Sequence, residues 1–186
     1  WKVLGMGLCG APATFERLME KVMQGLQWDS LLVYLDDINV FCSDEKTHLT
    51  RLDSLLDRLR RANLKIKGSK THLLKQEVEF LGHIVNKDGI HADPAKVQAI
   101  RDAKTPTCIR EVRSFLGFTG YYRKFVKDFA AIAIPLFDLL KQSKKKKFQK
   151  IIWTDQCEDA FQALKEGLAK YTSLSYPDWE KKFVLN

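Results

Sequence analysis

Apolar residues recur along this chain at two spacings, and each spacing predicts a different kind of element. Steps of three and four residues are typical of amphipathic helices, whereas short apolar or alternating runs between turn residues are typical of strands. The helical spacing predicts six helices. The first spans residues 11–25, the second runs from a Ser43 cap to about 63, and the third from Pro94 to 104. The fourth begins near Cys108, the fifth spans 134–140, and the sixth follows a Thr154 cap. The short runs predict a hairpin at 31–42, a strand at 78–85, a turn at 86–89 before a strand at 90–91, and the start of a strand at 183–186. Together they favour an α+β fold.

The hairpin predicted at residues 31–42 carries two adjacent acids at its tip. Apolar runs at 31–33 and 38–41 flank the tetrad Tyr34-Leu35-Asp36-Asp37. Adjacent carboxylates repel each other, and a bound cation relieves that repulsion. Mg²⁺ typically takes one or two protein carboxylates together with substrate phosphates, so the tetrad is a candidate site for metal-dependent phosphoryl or nucleotidyl transfer. An ordinary Asp-containing turn explains the same four residues, and the tetrad alone leaves both interpretations open.

Charge and composition narrow the class of partner. The 186 residues are 45% hydrophobic and carry a net charge of +8, which indicates a polyanionic partner. The cations cluster in three groups: Arg58, Arg60, Arg61, Lys65, Lys67, Lys70 and Lys75; then Arg113, Arg123, Lys124 and Lys127; then Lys144 to Lys147. No run of about 18 apolar residues and no signal-peptide pattern occurs, so we expect no membrane segment. Four widely spaced cysteines indicate a reduced intracellular protein without structural zinc.

Six short motifs follow one another in a recognisable order. They are residues 7–15 (GLCGAPATF), 34–37 (YLDD), 68–70 (GSK), 80–83 (FLGH), 109–117 (IREVRSFLG) with 121–125 (YYRKF), and 153–161 with 176–178 (YPD). With these motifs the chain resembles the reverse transcriptase segment of gypsy-type LTR retrotransposon Pol polyproteins. The resemblance covers nearly all of the chain, from the middle of the palm through the thumb into the connection.

The resemblance implies a fold and an activity. The expected α+β fold is a partial polymerase palm with a catalytic β-hairpin at residues 1–91, followed by a helical thumb at 92–142. A basic linker and a short connection at 143–186 would lead into a ribonuclease H-like domain. The expected enzyme is an RNA-directed DNA polymerase that extends a primer 3′-hydroxyl with dNTPs, using two Mg²⁺ ions for which Mn²⁺ can substitute.

The resemblance also implies roles for individual residues. Asp36 and Asp37 would be catalytic metal ligands, and Lys70 would assist the departing pyrophosphate. The nucleotide site would include Met6, Gly7, Gly10 and Tyr34, and the primer grip would be Phe80, Leu81, Gly82 and His83. The thumb would contact nucleic acid through Arg113, Tyr121, Tyr122, Arg123, Lys124 and Lys127. Helical spacing there favours aromatic rings in the helical core and cations towards solvent.

The same resemblance implies that this segment holds only part of an active site. The family's remaining essential Asp would lie upstream of residue 7, and its ribonuclease H acids beyond Asn186, so we expect the segment alone to be inactive. The alternative is a non-catalytic nucleic-acid-binding or domesticated remnant of a retroelement. The expected partners are a template–primer duplex, dNTPs and the rest of the Pol polyprotein, with no membrane. The expected location is intracellular, in a cytoplasmic virus-like particle or in the nucleus.

Overall fold

The computed structural model describes residues 3–141, 150–170 and 173–183. The chain forms two compact units, Trp1–Gln76 and Glu77–Asn186, and each has its own hydrophobic core. The mixture of helices and strands confirms the predicted α+β class. The basic run 144–147 and residues 184–186 of the predicted final strand lie outside the described residues.

The first unit packs two helices against a hairpin. Its elements are α1 (Ala11–Val22), β1 (Leu31–Tyr34), β2 (Asp37–Val40), α2 (Glu45–Arg61) and a 3₁₀ turn (Gly68–Lys70). Strands β1 and β2 are antiparallel, with Leu31 opposite Val40 and Tyr34 opposite Asp37. The core consists of Met19, Met23, Leu31, Val33, Leu55 and Leu59. The apolar faces predicted for the two helices thus bury one side of the hairpin.

The start of α2 corrects one predicted cap. Asp44, and not Ser43, is the N-cap, and its carboxylate accepts a hydrogen bond from the Thr47 N–H at 2.8 Å. That bond lowers the pKa of Asp44. A carboxylate at this position satisfies a free N–H and interacts favourably with the helix dipole, which explains why the chain caps with Asp44.

The second unit contains an antiparallel sheet. Its strands are β3 (Glu77–Phe80), β4 (His83–Asn86), β5 (Gly89–Ala92) and β6 (Ser173–Leu174), in that spatial order. The single strand predicted at 78–85 is wrong, because a turn at Leu81 and Gly82 divides it. These residues have φ of 48° and 66°, and glycine adopts such values without a steric penalty. The predicted turn between Asn86 and Gly89 is present.

Four helices complete the second unit: α3 (Pro94–Arg101), α4 (Ile109–Tyr121), α5 (Phe129–Lys141) and α6 (Asp155–Lys170). The predicted Asp93 cap is present, since its carboxylate accepts from the Ala95 N–H at 2.8 Å. Helix α5 begins five residues before the predicted segment. Its Leu136 shares one core with Val112 of α4 and Leu164 of α6.

The predicted functional boundaries at 91 and 142 stay predictions. Among the described helices, none combines the length and apolar character needed to cross a bilayer.

Candidate functional site

The two predicted metal-binding acids lie at the tip of the β1–β2 hairpin. Tyr34 and Asp37 are the last cross-strand pair, which leaves Leu35 and Asp36 as a two-residue loop. Leu35 has φ of 54°, as tight hairpin loops of this length require at one or both positions. Asp36 and Asp37 are both exposed. The predicted hairpin is therefore present, with Asp36 in the loop and Asp37 on the strand.

A third acid, Glu16 of α1, holds this loop. The Leu35 N–H donates a hydrogen bond to Glu16 Oε2. Met19 on the same helix is buried in one core with Leu31 and Val33 of β1. Helix α1 thus fixes both the strand and its loop. Glu16 was not predicted, because a single Glu in an amphipathic helix has the pattern of a solvated side chain.

The donor chemistry of the hairpin tip fits a hard divalent cation. In the described part of the chain, neither the Asp36 nor the Asp37 carboxylate has a hydrogen-bond or ion-pair partner. Carboxylate oxygens are the ligands that Mg²⁺ prefers. No group of three or more His, Cys, Asp or Glu within the described ranges is arranged to hold a metal ion. The tip therefore offers two oxygen ligands, which is part of a coordination shell.

The predicted nucleotide-site residues near the N-terminus lie in the open segment before α1. Met6, Gly7 and Gly10 are all exposed, and Gly10 caps α1 without a side-chain hydrogen bond. A Cβ placed on Gly10 would meet no heavy atom within 4 Å. The packing of the chain itself therefore does not require glycine at position 10.

Tyr34 and Lys70 lie on other parts of the first unit. Tyr34 is the last residue of β1, and 53% of its surface is exposed. Lys70 ends the exposed 3₁₀ turn that follows α2. No hydrogen bond or ion pair among the described residues joins Lys70 to Asp36 or Asp37. Of these two residues, Tyr34 lies next to the acids, opposite Asp37 across the hairpin.

The four predicted primer-grip residues form the β3–β4 hairpin end. Phe80 pairs with His83, and Leu81 with Gly82 forms the two-residue loop, called here the 81–82 turn. His83 Nδ1 lies 2.8 Å from the Leu81 carbonyl oxygen. Since a carbonyl only accepts, this nitrogen carries the hydrogen. Burial lowers the pKa of His83, the bond to Leu81 opposes that shift, and the charge of Lys124 adds to it.

Two predicted thumb residues reach this turn. Tyr121 Oη donates to the Leu81 carbonyl at 2.5 Å, and Tyr122 Oη donates to the Gly82 carbonyl at 2.8 Å. The His83 ring centroid lies 5.3, 5.5 and 5.9 Å from those of Tyr121, Tyr122 and Phe125. The predicted primer grip and the predicted thumb, whose bonded residues are 40 positions apart in the sequence, are therefore in direct contact.

The two tyrosines differ in burial. Tyr122 is 1% exposed, and burial, with smaller effects from Asp93 and other neighbours, raises its pKa to about 12. Tyr121 is 53% exposed. The expectation that the thumb aromatic rings lie in the core therefore holds for Tyr122 and Phe125, and it is wrong for Tyr121.

The four predicted thumb cations are all exposed: Arg113, Arg123, Lys124 and Lys127. Arg113 lies on α4, and the others lie within or just after the 3₁₀ turn Arg123–Phe125. The Lys124 ammonium is 5.3 Å from the Phe125 ring centroid, and partial desolvation of this otherwise exposed side chain lowers its pKa. The region after α4 thus presents positive charge beside the 81–82 turn.

Comparison with known proteins identifies the class. Residues 1–85 match the family model described as reverse transcriptase (RNA-dependent DNA polymerase). The chain is 44% identical over 179 residues to the Retrovirus-related Pol polyprotein from transposon 297 of Drosophila melanogaster. It is 41% identical over 189 residues to that from transposon gypsy of the same organism. These alignments cover 96% and 98% of this chain but only 16% and 18% of the relatives.

Solved structures agree with this class. A structure of the foamy viral protease-reverse transcriptase dRH in complex with double-stranded DNA matches with a TM-score of 0.86 at 25% identity, over 96% of this chain and 31% of that one. The foamy viral protease-reverse transcriptase with an RNA/DNA hybrid matches with a TM-score of 0.83 at 25% identity, over 94% and 23%. The chain belongs to the reverse transcriptase family. Its relatives place it more narrowly, as a segment of a gypsy-type retrotransposon Pol polyprotein.

Proposed function

We propose that this chain is the palm-to-connection part of an RNA-directed DNA polymerase that extends a primer 3′-hydroxyl with dNTPs on an RNA or DNA template. The observation that carries the proposal is the tip of the β1–β2 hairpin. Two exposed carboxylates, Asp36 and Asp37, stand there on a loop that α1 anchors through Glu16. The family to which the chain belongs supports the same chemistry.

In this proposal Asp36 and Asp37 bind Mg²⁺, and Mn²⁺ can substitute. Two such ions, when bound, stabilise the attacking and leaving oxygens of an in-line displacement. Asp36, in the loop, would hold the ion directly, and Asp37, at the start of β2, would contribute less. The bond from Leu35 to Glu16 ties the loop to α1, which favours a fixed position for both carboxylates.

The segment before α1 receives the incoming nucleotide in this proposal. Gly7 and Gly10 add no side chain in front of α1, where the helix dipole and the N–H of Ala13 favour phosphate. The other first-turn groups do not contribute, because the Ala11 N–H donates to the Leu8 carbonyl and Pro12 has no N–H. Met6 and Tyr34 offer exposed apolar surface to the base and sugar. Lys70 provides positive charge for the pyrophosphate that leaves.

Template–primer binding is proposed for the second unit. The exposed cations Arg113, Arg123, Lys124 and Lys127 suit phosphate contacts, which are independent of sequence. The 81–82 turn acts as the primer grip beside them. The foamy viral proteins solved in complex with double-stranded DNA or with an RNA/DNA hybrid are similar to this chain over most of its length.

The isolated chain is proposed to bind duplex without incorporating dNTPs. The hairpin tip offers two carboxylates, and no larger ligand group occurs in the described ranges. A non-catalytic remnant of a retroelement would show the same behaviour, so the two functions separate only in the longer polyprotein. The rest of Pol is then the partner, in an intracellular particle.

The test uses the Pol polyprotein that carries this segment. The expected result is Mg²⁺-dependent dNTP incorporation on a primed RNA template, reduced at least about 100-fold by Asp36→Asn because the substitution removes a metal-binding charge. Asp88→Asn is the matched control, since Asp88 is also the exposed second residue of a two-residue hairpin loop. Near-normal incorporation by the Asp36 variant would exclude the proposed role.

A further inference from the structure

We propose that Tyr121 and Tyr122 are positioning residues, whose hydroxyl groups hold the 81–82 turn in the conformation and place needed for primer extension. The inference rests on the proposed function for the role of the turn. Its structural part stands on contacts within the second unit alone. The three side chains that meet the turn, Tyr121, Tyr122 and His83, are called here the turn clasp.

The clasp makes a matched set of hydrogen bonds. Two consecutive tyrosines at the end of α4 donate to two consecutive carbonyls, those of Leu81 and Gly82. The Leu81 carbonyl also accepts from His83 Nδ1 at 2.8 Å, so both of its lone pairs are used. Carbonyls in hairpin loops usually face water. Here the second helix of the unit satisfies them instead.

The turn needs stabilising contacts from outside the hairpin, because the backbone conformation of one of its residues is unusual. Leu81 has φ of 48° and Gly82 has φ of 66°. Glycine takes such values readily, but leucine rarely does. The Tyr121 side chain is also in contact range of the turn, since a Cβ on Gly82 would lie 3.5 Å from its hydroxyl oxygen. The hydroxyl groups therefore act on the turn directly, and the ring packing of Tyr122 in the core fixes their position.

The two tyrosine side chains differ in how firmly they are held, because they differ in burial. Tyr122 is 1% exposed and its ring packs in the core of α3, α4, α5 and α6. A turn bonded to this side chain moves with α4 rather than with the free end of its hairpin. Tyr121 is half exposed, so its hydroxyl is the outer member of the pair. The position of the turn is thus linked to the helices that carry the predicted duplex-binding cations.

The chain provides a matched control for the loss of one such bond. Tyr176 Oη donates to the Asn86 carbonyl at 3.0 Å and to the Gly89 carbonyl at 3.4 Å, at the opposite end of β4. Tyr176→Phe therefore removes the same kind of bond from the same sheet, next to the turn at 87–88 and not the 81–82 turn. A general loss of sheet stability would appear in both variants.

The first measurement is primer extension by the Pol polyprotein carrying this segment. We expect the double variant Tyr121→Phe/Tyr122→Phe to lower kcat about tenfold or more, because small displacements of reacting groups slow chemistry strongly. Both aromatic rings remain in the double variant, so the duplex Kd should change much less than kcat, and Tyr176→Phe should leave kcat within about twofold. An unchanged kcat in the double variant, or an equal fall in Tyr176→Phe, would overturn the proposal.

The second measurement is independent of activity. Amide hydrogen exchange of the 186-residue chain, followed on a peptide that covers residues 79–84, should be faster in the double variant and unchanged in Tyr176→Phe, whose bond is to Asn86 outside that peptide. Unchanged exchange in the double variant would overturn the clasp. If the wild-type polyprotein fails to incorporate dNTPs, the proposed function fails, and exchange alone decides whether the tyrosines hold the turn.

Discussion

At the scale of single residues, His83 carries the one buried side-chain nitrogen or oxygen that lacks a hydrogen-bond partner in the described part of the chain. Its Nδ1 donates to the Leu81 carbonyl, while its Nε2 is buried and has no hydrogen-bond partner among the described residues. Protonation would add a hydrogen to this buried Nε2 and give the ring a positive charge near that of Lys124. The neutral imidazole is therefore favoured in the folded chain.

The pH dependence of stability follows from this environment. Burial lowers the folded-state pKa of His83 below its ordinary value of 6.5, so the unfolded chain takes up the proton first. The stabilising contribution is complete above the unfolded pKa and is lost as pH falls through the folded pKa. Urea unfolding between pH 7.5 and 5 should show a smaller fall in unfolding free energy for His83→Gln than for the wild type. His72→Gln, at an exposed position, is the control, and an identical profile for all three proteins would contradict the prediction.

The positions of site residues were predictable where the signal is local, and their roles stay predictions. Asp36 and Asp37 stand between two apolar runs, and that arrangement is sufficient to predict a hairpin with acids at its tip. The bond from Leu35 to Glu16 and the bonds from the tyrosines to the 81–82 turn join residues 19 and 40 positions apart. Helical periodicity predicts which face a side chain occupies, but it does not identify the partner that the face meets.

At the scale of elements, α4 carries two glycines that its own packing does not explain. Gly117 is exposed and Gly120 is half-buried, and a Cβ at either would meet nothing within 4 Å. Glycine inside a helix costs about 1 kcal/mol relative to alanine. Arg113 and Tyr121 lie four residues to either side of Gly117, on the same helical face. A duplex approaching this face would meet a cation, a flat stretch of backbone and an exposed aromatic ring.

Gly117→Ala should therefore separate stability from binding. We expect the free energy of unfolding to rise by about 1 kcal/mol, from helix propensity, and the Kd for a primer–template duplex to rise about fivefold because the methyl group blocks close approach. Urea unfolding and fluorescence anisotropy measure the two effects. In α6, Gly167→Ala is the contrast, since its Cβ would lie 3.0 Å from Val126 Cγ1 and should not stabilise the chain. A stabilised Gly117 variant with unchanged Kd would place the duplex elsewhere.

Element prediction succeeded where caps and periodicity agree and failed where a turn has no polar signal. The Asp93 cap and the turn after Asn86 contain polar residues with familiar turn chemistry, and both are present. The run at 78–85 is apolar apart from Glu79, Gly82 and His83, so it reads as one strand. The 81–82 turn depends on φ values that the tertiary contacts with α4 support, and these contacts are not visible in the local pattern.

At the scale of the whole molecule, positive charge is present in both compact units. Cations from Arg58 to Lys75 belong to the first unit, and those from Arg113 to Lys127 belong to the second. The net charge of +8 predicted a polyanionic partner without naming it. The order of six motifs named the family, because their combination is far more specific than charge or any one motif. The structure adds that α6, predicted to belong to the connection, shares a core with the helices predicted as thumb.

Duplex binding by the 186-residue chain should depend steeply on salt. Each phosphate contact releases counterions and contributes about 0.9 to the slope of log Kd against log salt concentration. Arg123→Ala should weaken binding to duplexes of any sequence and lower the slope by about one, since Arg123 is an exposed cation next to the turn clasp. Lys141→Ala is the control, because the Lys141 ammonium is already paired with Asp138 at 2.7 Å. Anisotropy titrations from 50 to about 300 mM salt measure both slopes. A slope that Arg123→Ala leaves unchanged would remove this residue from the interface, and a flat slope for the wild type would contradict phosphate contacts as the source of binding.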